Sequence, residues 1–288
     1  MANRHFGKIG DVWKHLPLAT IVGRERPAVY WESNAGSARY ALTHSIARDY
    51  GAFHFLANAA REPVLAESAY YRVLREFAPE VYPGSPQIAM RVLGAETTFL
   101  FCDLDVDSLR NIESAAAELG LRPERVHTVA RDGIAALDDA LAGTADAAGV
   151  FAHLDPYLPF AASRNGLTTA GLFCRLAERH AQVMLWYGFS SLDEEAELMR
   201  QFTAAFAAHR LDGAASALWQ GEIILEAMGD PDFDINPGVM GCGILCANLS
   251  RETRAGCEAL GQALTRIYAD AAFPGGYPGG LRFRGESW

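Results

Sequence analysis

Lysine is almost missing from this 288-residue chain: only Lys8 and Lys14 occur, and the formal net charge is −10. A protein that grips a long nucleic-acid backbone presents a broad basic surface, because phosphate contacts dominate that affinity. Such a surface is not indicated. Residues 1–26 do gather Arg4, His5, Lys8, Lys14, His15, Arg24 and Arg26 against Asp11 and Glu25, which suits at most a local anion site. Cysteine is sparse and odd in number: Cys102, Cys174, Cys242, Cys246 and Cys257, with no Cys-x-x-Cys pair. That argues against a disulfide framework, and no His or carboxylate cluster beside Cys242 and Cys246 completes a metal site. Buried thiols in a reducing cytoplasm are expected. Apolar runs such as 183–187 fall far short of the roughly 20 residues needed to span a bilayer. The segment Met1–His5 lacks the apolar core of a secretion signal. Neither a three-glycine dinucleotide fingerprint nor a Walker-type Gly-Lys-Ser/Thr occurs.

What remains is a strong alternation of strand-like and helical segments. The pattern predicts strands near 28–32, 97–103, 126–131, 149–155, 182–188, 219–227 and 240–248. Helices are expected near 11–22, 36–48, 85–93, 106–119, 133–142, 167–180, 192–209 and 251–270. Strands separated by helices imply βαβ units and an α/β fold with a mainly parallel, seven-stranded sheet. The turn-rich link 229–238 has no room for a helix, so the last two strands are expected to be an antiparallel pair at one edge. The excess between the first two strands, about 41–84, reads as a helical insertion in a single domain covering 1–288. The Gly/Pro-rich tail 274–284 is expected to end the globular part. Segments near 99–104 and 240–248, if exposed, would mark a homodimer surface.

The chemistry gathers at strand ends. The run 149–157 closes on Asp155-Pro156-Tyr157, and Pro156 marks where strand pairing stops. In open α/β sheets, ligands bind at that carboxyl edge. The turn Asn34-Ala35-Gly36-Ser37 after the first strand has small residues that let a ligand approach the backbone, and is expected to open a helix. Asp103 is placed to hold a ribose diol, and Asp132, followed by Gly133, to accept from an adenine amine. Each acid alone reads more simply as a helix N-cap. Together with Glu32 they suit a cationic or amine-bearing adenosine ligand, the pattern of S-adenosylmethionine. His153 should share a side with Asp155 if the strand is regular.

On these residues the chain resembles the class I methyltransferases, and in particular the bacterial large-subunit ribosomal RNA adenine-N6 methyltransferases of the RlmJ type. The likeness runs over nearly the whole length. It is carried by Asp11-Val12-x-Lys14-His15, Asn34-Ala35-Gly36-Ser37-Ala38-Arg39-Tyr40, Tyr82-Pro83-Gly84-Ser85-Pro86, Asp132-Gly133, Asp155-Pro156 and Leu185-Trp186-Tyr187. The resemblance implies a Rossmann-like fold with S-adenosylmethionine as methyl donor. By it, Lys14, Ser85, Asp103, Asp132 and Asp155 would contact the donor, and Asn34, Gly36, Gly133 and Pro156 complete the expected donor site. The chain departs where the family has Asp-Pro-Pro-Tyr: here the order is Asp155-Pro156-Tyr157-Leu158. Lys8 stands where the family has a Gly-Asn turn.

Methyl transfer from a sulfonium needs positioning and a place for the acceptor's proton. Asp155 or His5 could take or relay it. Tyr157, Trp186 and Tyr187 are the aromatic faces expected beside the sulfonium or acceptor, with Lys8 near the acceptor. Three readings follow. The first is transfer to a small or diverged acceptor, an amine nitrogen. The second is ribosomal RNA adenine-N6 methylation, which a basic patch from residues 1–26 with Arg282 and Arg284 would favour. The third is a lyase in which the donor's own α-amino group closes an azetidine ring and expels methylthioadenosine; a closed pocket lined by Tyr157 and Trp186 would favour it. A non-enzymatic binding role is the plain alternative.

Overall fold

The computed structural model describes residues 6–144, 146–211 and 217–288. The chain starts with helix α1 (Ile9–Glu25), whose residues are buried nearly all round. It is therefore an interior helix. Strand β1 (Val29–Glu32) follows, then the short β2 (Arg39–Ala41). Short helices α2 (Ile46–Arg48), α3 (His54–Asn58), α4 (Pro63–Ala66) and α5 (Ala69–Phe77) fill the stretch before β3 (Val81–Pro83). Then come α6 (Ser85–Leu93), β4 (Thr98–Asp103), α7 (Val106–Glu118), β5 (Val126–Ala130), α8 (Gly133–Ala142) and β6 (Val150–Leu154). The second half holds α9 (Thr169–Glu178), β7 (Gln182–Phe189), α10 (Leu192–Ala208), β8 (Trp219–Leu225), β9 (Gly241–Ala247), α11 (Arg251–Tyr268) and β10 (Leu281–Ser287).

Eight strands form one mixed sheet in the order β10-β8-β9-β7-β6-β1-β4-β5. The five strands from β7 to β5 are parallel, while β9, β8 and β10 pair antiparallel. The chain moves outward from β1 first toward β4 and β5, then returns to β6 on its other side. That reversal leaves a crevice at the carboxyl ends of β1 and β6, the place where open α/β sheets take ligands.

The seven expected strands are all present, and the eighth corrects the strand count. The tail does not end the globular part: β10 pairs with all seven residues of β8. Its Phe283 packs edge-on to Trp13 with ring centroids 5.4 Å apart. The alternation Leu281-Arg282-Phe283-Arg284 carries this strand, and the neighbouring glycines and prolines obscured it. As a result β8 is interior, and the β8–β9 pair is antiparallel but not itself an edge.

A second correction concerns 36–48, where no long helix forms. Gly36 takes a left-handed φ of 59°, and Ala35 N–H continues the ladder onto Cys102 O at 3.0 Å. The chain then enters β2, which pairs antiparallel with β3. This ribbon brackets α2 to α5, so the helices between β2 and β3 leave the sheet and return at one place. The segments 99–104 and 240–248 lie mostly within β4 and β9, where every residue of β9 is buried. Leu104, just past β4, is exposed. The five cysteines are buried and unbridged. Among the described residues, no helix is long and apolar enough to cross a membrane.

Candidate functional site

At the crevice, three charges from distant parts of the sequence meet. The Lys14 ammonium lies 2.7 Å from Asp155 Oδ2 and 3.2 Å from Asp11 Oδ1. Helix α1 supplies Asp11 and Lys14 from one face, three residues apart, and the end of β6 supplies Asp155. The three side chains are only 10% to 20% exposed. Burial opposes the lysine's charge, yet the two carboxylates outweigh it and hold Lys14 protonated well above the ordinary lysine range. Burial likewise raises Asp11, against the opposing pull of Lys14. Two carboxylates on one ammonium leave the cluster short of one positive charge when both are ionised.

A cavity of about 30 Å³ opens on this cluster, lined by Phe6, Asp11, Lys14, His15, Asn34, Ala35, Gly36, Tyr40, Tyr82, Gly84, Ser85 and Asp155. Its back wall is a chain of buried polar groups. Ser85 Oγ donates to Glu32 Oε1 at 2.5 Å, and His153 Nδ1 lies 2.9 Å from the same oxygen. Tyr30 OH donates to Glu32 Oε2 at 3.0 Å. Glu32 and His153 are both fully buried, so this strand-end acid serves the interior and positions Ser85. On the other wall His15 Nδ1 is 2.8 Å from Tyr82 OH, itself 3.1 Å from Tyr70 OH. Burial, with the Lys14 charge beside it, lowers His15 well below the usual imidazole value. Burial also pushes the Tyr40 phenol up to about 12.

The turn between β1 and β2 is locked by close backbone approaches. A Cβ on Gly133 would lie 1.6 Å from Ser33 O, and one on Gly84 would lie 2.2 Å from Ser37 O. Gly133 is thus glycine because α8 starts against this turn. Gly36 N–H donates to Asp103 Oδ2 at 2.7 Å, while Asp105 N–H donates to Oδ1 at 2.8 Å. Asp132 caps α8 by accepting from Ile134 and Ala135 N–H, as the N-cap reading expects.

Lys14, Asn34, Gly36, Ser85 and Asp155 come together around the cavity. Asp103 adjoins them through Gly36. Pro156 is buried beside Asp155. Trp186 is half-buried, with the Lys14 ammonium 5.6 Å from its ring centroid. Tyr187 points to the opposite face of the sheet, fully buried, its OH donating to Glu222 Oε1 at 2.6 Å. Neighbours along a strand must diverge this way. Tyr157 is 94% exposed and does not line the cavity. Lys8 packs its stem against Gly238 rather than lining it. His5 lies outside the described residues. Phe6 was not singled out by sequence, and Tyr40 entered only as the end of the Asn34–Tyr40 motif, with no role of its own. They stack with centroids 4.7 Å apart, and no motif signals Phe6. Among the described residues, no group of three His, Cys, Asp or Glu side chains could hold a metal ion.

No protein-family model and no curated protein matches the chain. By structure it is similar to a Legionella pneumophila protein of the family described as DUF519, with a TM-score of 0.70 and 18% identity over 98% of each chain. That likeness establishes the fold over essentially the whole length. A methyltransferase from Geobacter sulfurreducens aligns over 82% of this chain and 78% of its own, with a TM-score of 0.38 and 11% identity. A SAM-dependent O-methyltransferase from Thermotoga maritima aligns over 83% and 65%, with a TM-score of 0.40 and 10% identity. Superpositions that loose show nothing about chemistry.

Proposed function

We propose that the protein is an S-adenosylmethionine-dependent methyltransferase acting on an amine nitrogen of a small or diverged acceptor. The observation that carries this reading is the Asp11–Lys14–Asp155 cluster at the switch point between β1 and β6. Its ammonium suits a carboxylate, and its two acids suit an ammonium or sulfonium, so together they match the amino-acid end of the donor. The small cavity beside Ser85 opens on the same cluster. The adenosyl part of the donor lies along the outer edge, toward Asp103 and Asp132.

When bound, the donor supplies an electrophilic methyl group: the S–CH₃ bond breaks as N–CH₃ forms, and sulfur keeps the electron pair. The chain's own task is orientation, which can supply roughly 7–11 kcal/mol of barrier lowering. Lys14, itself held by Asp11, fixes one oxygen of Asp155. No described residue donates to Asp155 Oδ1, which is free to hold the acceptor's N–H and receive its proton. Trp186 offers an aromatic face beside the cluster's charge.

The two other readings find less support. Lys14 is buried between acids, and Arg284 is bound by Glu222 and Glu195, so neither contributes to a basic patch for ribosomal RNA. Tyr157 is exposed and Trp186 does not line the cavity, so the enclosure that favours ring closure is not formed by these two. The test is calorimetric titration with S-adenosylmethionine, followed by mass spectrometry of long incubations with and without amine acceptors. A methylated amine with S-adenosylhomocysteine supports the reading. Methylthioadenosine with a cyclic amino acid, above the spontaneous rate, replaces it with the lyase.

A further inference from the structure

Among the described residues seven large apolar side chains are exposed, and five of them stand along one edge of the sheet: Leu104, Val106, Tyr157, Leu158 and Leu192. Leu104 and Val106 follow β4, Tyr157 and Leu158 follow β6, and Leu192 follows β7. These strands are parallel through β1, so all five lie at the carboxyl edge that holds Asp155. From β4 to β7 is three strand spacings, about 14 Å. Scattered single apolar residues need no explanation, but a group around a ligand crevice does.

The group is held in place. Past Tyr157 and Leu158, Pro159 O accepts from Ala170 N–H at 3.0 Å. The Phe160 ring lies 4.8 Å from Phe202 in the core. Tyr157 and Leu158 are therefore presented on an anchored loop rather than trailing from it. The charge around them is acidic. The same connections carry Asp105, Asp107, Asp193 and Glu194 against Arg164 and Arg110, and Arg110 is paired with Asp107. Polyphosphate would be repelled there.

We infer that this rim is the acceptor subsite and that the acceptor is an apolar amine, its aromatic or alkyl body on Tyr157, Leu158 and Leu192 and its nitrogen at Asp155 Oδ1. The inference rests on the methyl-transfer reading and adds the substrate class to it. Exposed apolar side chains bury the body of the ligand, and the surrounding acids favour its ammonium form on approach.

The experiment is calorimetric titration of 2-phenylethylamine, ethylamine and a short RNA hairpin, each with and without saturating S-adenosylhomocysteine. Removing the ring removes enough apolar area for at least about a tenfold difference in affinity. The expected result is saturable binding of 2-phenylethylamine, about tenfold or more tighter than ethylamine or the RNA. Tyr157→Ser should weaken it by a similar factor and leave S-adenosylhomocysteine affinity unchanged. Tyr157 is exposed, so this variant keeps its fold. Equal binding of the two amines, an unaffected Tyr157→Ser, or preference for RNA overturns the inference. Failure of S-adenosylhomocysteine to bind counts instead against the methyl-transfer reading, and the amine arm without it still tests the rim.

Discussion

Lys14 and Asp155 stand 141 residues apart in sequence and 2.7 Å apart in the fold. Their ion pair joins the interior helix α1 to the end of the central strand β6, and Asp11 completes it from the other side. Removing one partner of a buried ion pair leaves the other charge uncompensated, at about 3–5 kcal/mol. Lys14→Met is expected to lower stability by about 3 kcal/mol in chemical denaturation and to weaken S-adenosylhomocysteine binding at least about tenfold. Retained affinity would mean that the ammonium serves the fold alone.

Asp155→Asn keeps the shape of the side chain and removes its charge. Turnover of the acceptor is expected to fall by at least about 100-fold, the scale of a positioned proton acceptor. Steady-state kinetics with calorimetry on the same variant checks this. A full rate with unchanged cofactor affinity would place the chemistry elsewhere.

Gly133 has no room for a methyl group, since its Cβ would meet Ser33 O at 1.6 Å. The clash is with backbone, so it cannot be relieved by a rotamer change. Gly133→Ala is expected to cost at least about 3 kcal/mol, the upper end for overpacking. Because Ser33 precedes the Asn34–Ser37 turn, the cofactor should also bind more weakly in whatever fraction folds.

Tyr187→Phe separates the two faces of β7. It leaves fully buried Glu222 short of one donor, worth about 1–3 kcal/mol. Arg284 stays on Glu222 at 2.9 Å. Thermal or chemical unfolding should report the loss, with cofactor affinity unchanged. A shift in affinity would return Tyr187 to the binding site.

His15 gives stability a pH dependence. Burial and the Lys14 charge keep its folded pKa well below 6.5, whereas the unfolded chain takes up a proton near that value. The folded state thus binds fewer protons. The contribution is full above about pH 6.5 and is lost as pH falls below it, by up to about 1.4 kcal/mol per pH unit. Denaturation curves between about pH 5 and 7 should show the slope in the wild type and a shallower one in His15→Asn.

Where local chemistry and tertiary context agreed, the sequence was readable. Helix α6 starts at Ser85-Pro86 behind Gly84, and α8 starts behind the Asp132 cap, so both had plain boundary signals. Strand β10 was hidden because six glycines and prolines in 274–280 outweighed a short alternation whose partner, β8, is more than 50 residues away. The stretch 36–48 looked helical by composition, yet pairing with β3 across the insertion made it a ribbon. At the site, Lys14, Ser85 and Asp155 were legible as motif members. Asp103 and Asp132 were placed correctly at strand ends, but their backbone hydrogen bonds are settled only in three dimensions. Tyr187 was expected beside Trp186 at the site, although strand alternation by itself puts the two on opposite faces.

The decisive measurement is calorimetric titration of S-adenosylhomocysteine into the wild type and into Lys14→Met, with circular dichroism confirming the fold of each. One-to-one binding by the wild type and at least about tenfold weaker binding by the variant, a loss of about 1.4 kcal/mol, is the expected result. Equal binding by both, or none by a folded wild type, would contradict a donor site at the Asp11–Lys14–Asp155 cluster.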